Sequence, residues 1–250
     1  MTRPVLEIAA NSLGSALAAQ EGGADRIELC DNLGEGGTTP SYGTLAITRD
    51  RLRIPLYVLI RPRAGDFCYD AAEVDVMLRD IESCVKLGCD GVVIGALDTE
   101  GDVDEAICRE LIAAAGPLGV TFHRAFDAVR DQARALDAIA GLGCERVLTS
   151  GGEADALTGA ERIAGFVKQA GARLCVMAGA GIDASNIQEV AVRSNAAELH
   201  GSGRSMRPSP SRHRNNRLKG LEVDWWETDA GRVRAMVDAL NGYRDQGLRR

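Results

Sequence analysis

The chain has 250 residues, a formal net charge of −7, 45% hydrophobic residues, 29 Gly and only ten aromatics (4 Phe, 4 Tyr and 2 Trp). That apolar share excludes a disordered chain, the scarcity of rings excludes a base-stacking platform, and the acidic balance excludes a broad nucleic-acid or anionic-membrane surface. No run of 18 apolar residues occurs, so no transmembrane helix is expected.

The N-terminus enters a strand-like pattern directly, at Val5–Ala9, and no secretory leader is expected ahead of it. Further strands are predicted at Arg26–Leu29, Leu56–Ile60, Gly91–Gly95, Val120–His123, Arg146–Thr149, Leu174–Met177 and Ala197–His200. Helical stripes lie between them. Val74, Met77, Leu78, Ile81, Cys84 and Val85 form one, and Ile107, Cys108, Leu111, Ile112 and Ala115 form another. Eight strands, each followed by a helix, predict a single-domain α/β protein, a (β/α)₈ TIM barrel spanning residues 1–250. An internal echo supports this reading. Gly23-Ala24-Asp25-Arg26-Ile27, Gly88-Cys89-Asp90-Gly91-Val92 and Gly143-Cys144-Glu145-Arg146-Val147 share one pattern, and Asn195-Ala196-Ala197-Glu198-Leu199 is a weaker fourth copy. Each Gly or Asn is expected to end a helix in the left-handed conformation, just before an even-numbered strand. After the eighth strand, residues 201–220 read as a loop, and a last helix is expected over residues 228–243.

Alternation along a strand assigns faces. Leu6 and Ile8, Ile27 and Leu29, Val58 and Ile60, and Leu199 suit the helix-facing side. Glu7, Glu28, Cys30, Arg61, His123, Glu198 and His200 therefore point into the barrel, most of them near strand C-terminal ends, where barrel enzymes place their sites. Glu7, Glu28, His123 and Asp127 are the candidate acid/base groups. Arg61, Arg63 and Asp66 follow the third strand and Arg124 follows the fifth; guanidinium forks suit carboxylate or phosphate. Thr149-Ser150-Gly151, Gly179 and Gly181, and His200 end strands six, seven and eight. Small residues there let backbone N–H groups converge on an anion. Between Leu199 and Leu221 stand Arg204, Arg207, Arg212, Arg214, Arg217 and Lys219 and no acid, which reads as a lid or a subunit contact.

Seven scattered cysteines without a C-x-x-C motif imply a reduced, cytoplasmic protein. Cys84 and Cys108 fall on helix stripes, Cys89 and Cys144 in helix-to-strand turns, and Cys175 inside a strand. Cys30 and Cys68 alone fall at the expected active face, where soft thiolates favour Cu(I). The three lysines lie off the strands, which disfavours a Schiff-base aldolase.

The motifs Gly23 to Cys30, Gly36-Gly37 with Thr39-Pro40-Ser41-Tyr42-Gly43, Arg61 to Tyr69, Val120 to Asp127, Leu148 to Gly151 and Ala178 to Gly181 together resemble the CutC family, named for copper homeostasis. The resemblance runs from Leu6 to about Asn215 and implies a (β/α)₈ barrel, a link to copper tolerance, and Cu(I) as ligand of Cys30 and Cys68. Many members carry Pro and a third Gly in the strand-seven loop, where this chain has Ala178 and Ala180. Two functions follow as expectations: a copper-handling protein, or an enzyme or binding protein for a small anionic or phosphorylated metabolite. A homo-oligomer is compatible with both; nucleic acid and membrane partners are not expected.

Overall fold

The computed structural model describes residues 3–215, 217 and 220–247, with side chains described up to residue 242; Lys219 of the basic run and the C-terminal arginines 249 and 250 lie outside the described residues. Eight parallel strands close into a barrel in chain order: β1 (Val5–Ala10), β2 (Arg26–Leu29), β3 (Leu56–Leu59), β4 (Gly91–Ile94), β5 (Gly119–Phe122), β6 (Arg146–Thr149), β7 (Cys175–Gly179) and β8 (Glu198–Gly201). The ring closes where β1 pairs with both β2 and β8, so that Glu7 lies opposite Arg26 on one side and His200 on the other. Eight helices surround it: α1 (Leu13–Gly22), α2 (Tyr42–Arg51), α3 (Ala71–Leu87), α4 (Glu105–Ala115), α5 (Gln132–Gly141), α6 (Ala160–Ala170), α7 (Ile187–Ser194) and α8 (Ala230–Gly247). The sequence-based strand limits agree with these to within two residues.

Local chemistry sets the helix ends. Ser12, Ser41, Asp104 and Asp131 accept hydrogen bonds from orphan amides of α1, α2, α4 and α5, and Asp70 with Glu73 forms a reciprocal capping box on α3. The repeated Gly or Asn positions are left-handed as expected, with φ of 93° at Gly23, 69° at Gly88, 87° at Gly143 and 52° at Asn195.

Strand alternation splits the interior in two. Leu6, Ile8, Ile27, Val58, Val92, Phe122, Val147, Val176 and Leu199 pack outward against the helices. A second, smaller cluster of Ala9, Cys30, Tyr57, Leu59 and Val93 fills the barrel itself. Tyr57 crosses the floor of the barrel because β4 and β5 begin with glycine there. A Cβ on Gly91 would stand 2.0 Å from the Tyr57 ring, and one on Gly119 2.3 Å from its hydroxyl. The Tyr57 hydroxyl donates to Glu145 at 2.9 Å.

The segment expected as a loop after β8 is partly ordered as a hairpin. β9 (Arg204–Arg207) pairs antiparallel with β10 (Trp225–Thr228). Thr228 anchors it: its backbone N–H donates to Ser15 and its hydroxyl to the Ser202 carbonyl. The last helix starts at Ala230, two residues later than expected, and packs against α1 and α7.

Candidate functional site

Three strands that meet at the seam of the barrel bring together a carboxylate, an imidazole and a second carboxylate. Glu7 of β1 is fully buried, and its Oε1 lies 2.8 Å from Nδ1 of His200 on β8. Nε2 of the same ring lies 3.6 Å from Oε2 of Glu28 on β2. Glu7 also pairs with Arg26, and Arg26 pairs in turn with Glu198. Arg146 continues the chain, donating to Glu198 at 3.1 Å, Thr121 at 3.1 Å and Glu145 at 3.0 Å. Both guanidinium groups lie over the Tyr57 ring, Arg26 at 5.2 Å and Arg146 at 4.8 Å. An alternating ionic ladder therefore runs along the barrel axis, with the His200 pair at its upper end.

The two glutamates are driven apart by their surroundings. Burial pushes Glu7 up, but the His200 hydrogen bond and the Arg26 charge outweigh it and hold this carboxyl down at about 2. Burial lifts Glu28 to about 7, against the pull of His200 and with the Glu7 charge adding to the rise. His200 is raised above its usual value: the two carboxylates overcome the burial that would lower it. A pair of carboxyls split in this way supplies one fixed anion and one group that exchanges its proton near neutrality.

His200 is also part of the wall of a cleft of about 680 Å³ at the C-terminal end of the barrel. Ala180, Gly181 and Ile182 after β7, Ser202 and Gly203 after β8, and the arginines Arg124, Arg204 and Arg232 complete it. Among the described residues neither Arg204 nor Arg232 stands in an ion pair; Arg204 lies 5.1 Å over the Trp226 ring of the hairpin. Asp183, the acid in this wall, accepts from the backbone and hydroxyl of Ser185. Ala180 adopts φ 85°, a conformation that suits glycine. An L-residue there stores on the order of 1–2 kcal/mol of strain.

The remaining sequence candidates are committed elsewhere. Arg61 does point inward, yet its guanidinium donates to the carbonyls of Glu35 at 2.9 Å, Gly37 at 2.7 Å and Gly65 at 2.7 Å. It clamps the loops after β2 and β3 together, while its buried Nε–H has no partner among the described residues. Arg63 is held by Glu73 at 2.5 Å, by Asp66 at 3.0 Å and by the Cys68 carbonyl at 2.8 Å, so Arg63 and Asp66 brace their own loop. Asp127 is not poised for proton transfer. Its carboxylate accepts from the Thr149 hydroxyl at 2.5 Å, the Ser150 amide at 3.1 Å, the Gly152 amide at 3.0 Å and Arg124 at 2.7 Å. The Gly151 amide goes to the Thr149 hydroxyl at 2.8 Å. The anion cup expected over Thr149, Ser150 and Gly151 is thus occupied by a carboxylate of the chain itself.

Gly181 lines the cleft, and Gly179 ends β7 behind it, where a Cβ would meet Leu148 at 2.5 Å and His200 at 3.1 Å. His123 is buried, with Nδ1 accepting from the Ala125 amide at 3.1 Å and its ring 5.1 Å from Phe67. Burial, with the Arg61 charge, lowers its pKa to about 3, so it stays a neutral ring whose Nε2–H has no partner among the described residues. That makes it a hydrogen-bond donor and not a base near neutral pH.

Cys30 packs with Ala9, Tyr57, Leu59 and Val93, and its thiol lies 3.7 Å from the Ala10 carbonyl. The Cys68 thiol lies 3.3 Å from the Asp98 carbonyl, and burial raises the pKa of both thiols. Among the described residues no three His, Cys, Asp or Glu side chains form a cluster suited to a metal ion.

Sequence reasoning missed four of the residues that shape the site. Arg26 and Arg146 share strand parity with Glu28 and Leu148, and that parity was enough to place them inside the barrel. Arg204 was visible within a basic run but not as part of the cleft wall. Arg232 sits on α8, where no sequence signal sets it apart.

The CutC family model matches residues 4–205. The chain is similar to the family protein CutC of Xanthomonas campestris pv. campestris, with 57% identity over 94% of this chain and 98% of the relative. It is also similar to the human copper homeostasis protein cutC homolog, with 47% identity over 93% of this chain and 87% of the relative. A CutC crystal structure from Streptococcus agalactiae superposes with a TM-score of 0.76 at 32% identity, covering 80% of this chain and 98% of that one. The family match ends at residue 205, inside the first strand of the hairpin, so β10 and α8 lie beyond it.

Proposed function

The chain belongs to the CutC family, and from the geometry of its cleft we propose that it binds a small anionic metabolite, of the phosphorylated class, above β7 and β8 and exchanges a proton with it. The observation that carries this reading is the placement of His200. Its ring forms part of the cleft wall while both its nitrogens face carboxylates. Glu7 stays ionised and orients the ring through Nδ1. Glu28 then shares the exchangeable proton with Nε2, at a pKa close to working pH, where general acid/base groups are most effective. Arg204 and Arg232, with Arg124 at the rim, hold the anionic end of the ligand; the glycine-rich turns let it approach the backbone.

Ligand linkage tests the reading. Inorganic phosphate, sulfate and a panel of sugar phosphates are expected to raise the thermal midpoint of the chain, and Arg204→Ala with Arg232→Ala to abolish the shift. A panel without any shift, or a shift that survives both substitutions, refutes it.

The human relative's name attaches copper homeostasis to the family, and this keeps a second reading open: Cu(I) as cargo on Cys30 with Cys68 or His123. The two thiols contact different carbonyls, and burial opposes the thiolate each would need. Cu(I) titration under reducing conditions decides it. An affinity unchanged in Cys30→Ser ends this reading. The seven cysteines stand unbridged. No helix of the described residues is long and apolar enough to cross a membrane.

A further inference from the structure

The end of α3 brings two cysteines together by the geometry of the helix stop itself. Gly88 takes the left-handed conformation, with φ 69°. Its amide then bonds back to the Val85 carbonyl at 3.1 Å, and the Cys89 amide to the Cys84 carbonyl at 3.0 Å. This is a Schellman motif, in which the residue just past the cap folds over the residue five positions earlier and their side chains meet. The end of α1 repeats it: Gly23 has φ 93°, and the Ala24 amide bonds to the Ala19 carbonyl at 3.1 Å. There the facing pair is alanine on alanine. In α3 the same pair is Cys84 and Cys89.

A bond of 3.0 Å between the amide of one residue and the carbonyl of the other leaves their Cα atoms near the separation a disulfide requires, roughly 4.4–6.8 Å. Cys84 is fully buried, whereas Cys89 keeps 5% of its surface in solvent. The Cys89 thiol also differs from the other six. The neighbouring Cys84 thiol lowers the Cys89 pKa against burial, with the Arg49 charge helping. The remaining six thiols are all raised. Cys84 is fully enclosed and Cys89 stands at the edge of solvent, so Cys89 is the attacking sulfur and Cys84 the resolving one.

We propose that Cys84 and Cys89 form a redox-active dithiol, oxidised by hydrogen peroxide to a disulfide that ties the last turn of α3 to the first residues of β4. The Cys89 sulfur attacks the peroxide; an S–O bond forms, the O–O bond breaks, and the departing oxygen leaves as water. The Cys84 sulfur then displaces the hydroxyl from the sulfenic sulfur, forming the S–S bond and releasing a second water. The two thiol protons end in the two waters, and two electrons pass from the sulfurs to the peroxide. The site lies at the barrel end opposite the cleft and does not depend on how the cleft is used.

Reduced, full-length protein treated with hydrogen peroxide at low molar excess tests the proposal. The expected product has lost two hydrogens by intact mass, leaves Cys84 and Cys89 unalkylated, yields a linked Cys84–Cys89 peptide on digestion, and reverts with dithiothreitol. Cys84→Ala with Cys89→Ala, which copies the alanine pair of α1, is expected to fold normally and to lose the cross-link. Cys84→Ala alone is expected to accumulate oxygen adducts at Cys89. Full alkylation of all seven thiols after oxidation, a link between other cysteines, or a loss of two hydrogens that persists in the double variant overturns it. Peptide mapping of the unsubstituted chain decides the matter even where a variant fails to fold.

Discussion

Glu28 shows how a single carboxyl couples the site to stability. Its folded-state pKa is about 7, above the 4.5 of an unperturbed glutamate. A carboxyl raised on folding favours the native state below its unfolded value and opposes it as pH rises through the folded one. Glu28→Gln keeps the shape and removes that titration. The variant is expected to match the parent at pH 4.5 and to exceed it at pH 8 by on the order of 1–3 kcal/mol, roughly 2–4 °C of thermal midpoint per kcal/mol. Melting curves across pH 4.5 to 8 check this; a difference that does not grow with pH refutes it. Glu7 works in the opposite sense, its contribution being lost as pH falls from about 4.5 towards 2. Strand parity shows that both glutamates, His200 and Arg61 point inward. It does not show which groups meet them. Arg61 is claimed by carbonyls on two loops whose paths depend on glycines at Gly37 and Gly65, and no local pattern around Arg61 encodes that encounter.

At the scale of elements, the barrel strands and their helices are legible because each carries a complete local signature: a short apolar run, a capped helix, a left-handed stop. The β9–β10 hairpin lacks one. Its strands are four residues each, separated by a long polar stretch, and Thr228 of β10 is anchored by Ser15, 213 residues away in sequence. The hairpin carries both tryptophans of the chain, each about half exposed, and Arg204 joins the Trp226 ring to the cleft wall. Intrinsic fluorescence is therefore expected to report cleft occupancy. Saturating phosphate or a binding sugar phosphate should change the emission, and Trp226→Phe should remove most of the response while leaving Trp225 emission in place. A response carried wholly by Trp225 refutes this coupling.

Across the whole molecule, the barrel is held open against its own charges by the ladder Glu7, Arg26, Glu198 and Arg146. Removing one member of a buried ionic set leaves its partners unpaired, at about 3–5 kcal/mol. Arg26→Met is expected to lose about that much in denaturant titrations, far more than Arg79→Met on the exposed face of α3. Equal effects would show that the ladder does not support the fold. The mouth above this ladder is lopsided. On its β6 side the amide nest already holds the Asp127 carboxylate, which behaves as a tethered competitor at an effective concentration in the millimolar range or above. For the anionic metabolite proposed above, a filled berth there and an accommodating one above β7 and β8 would fix which way round it docks before any contact with its reactive part is made.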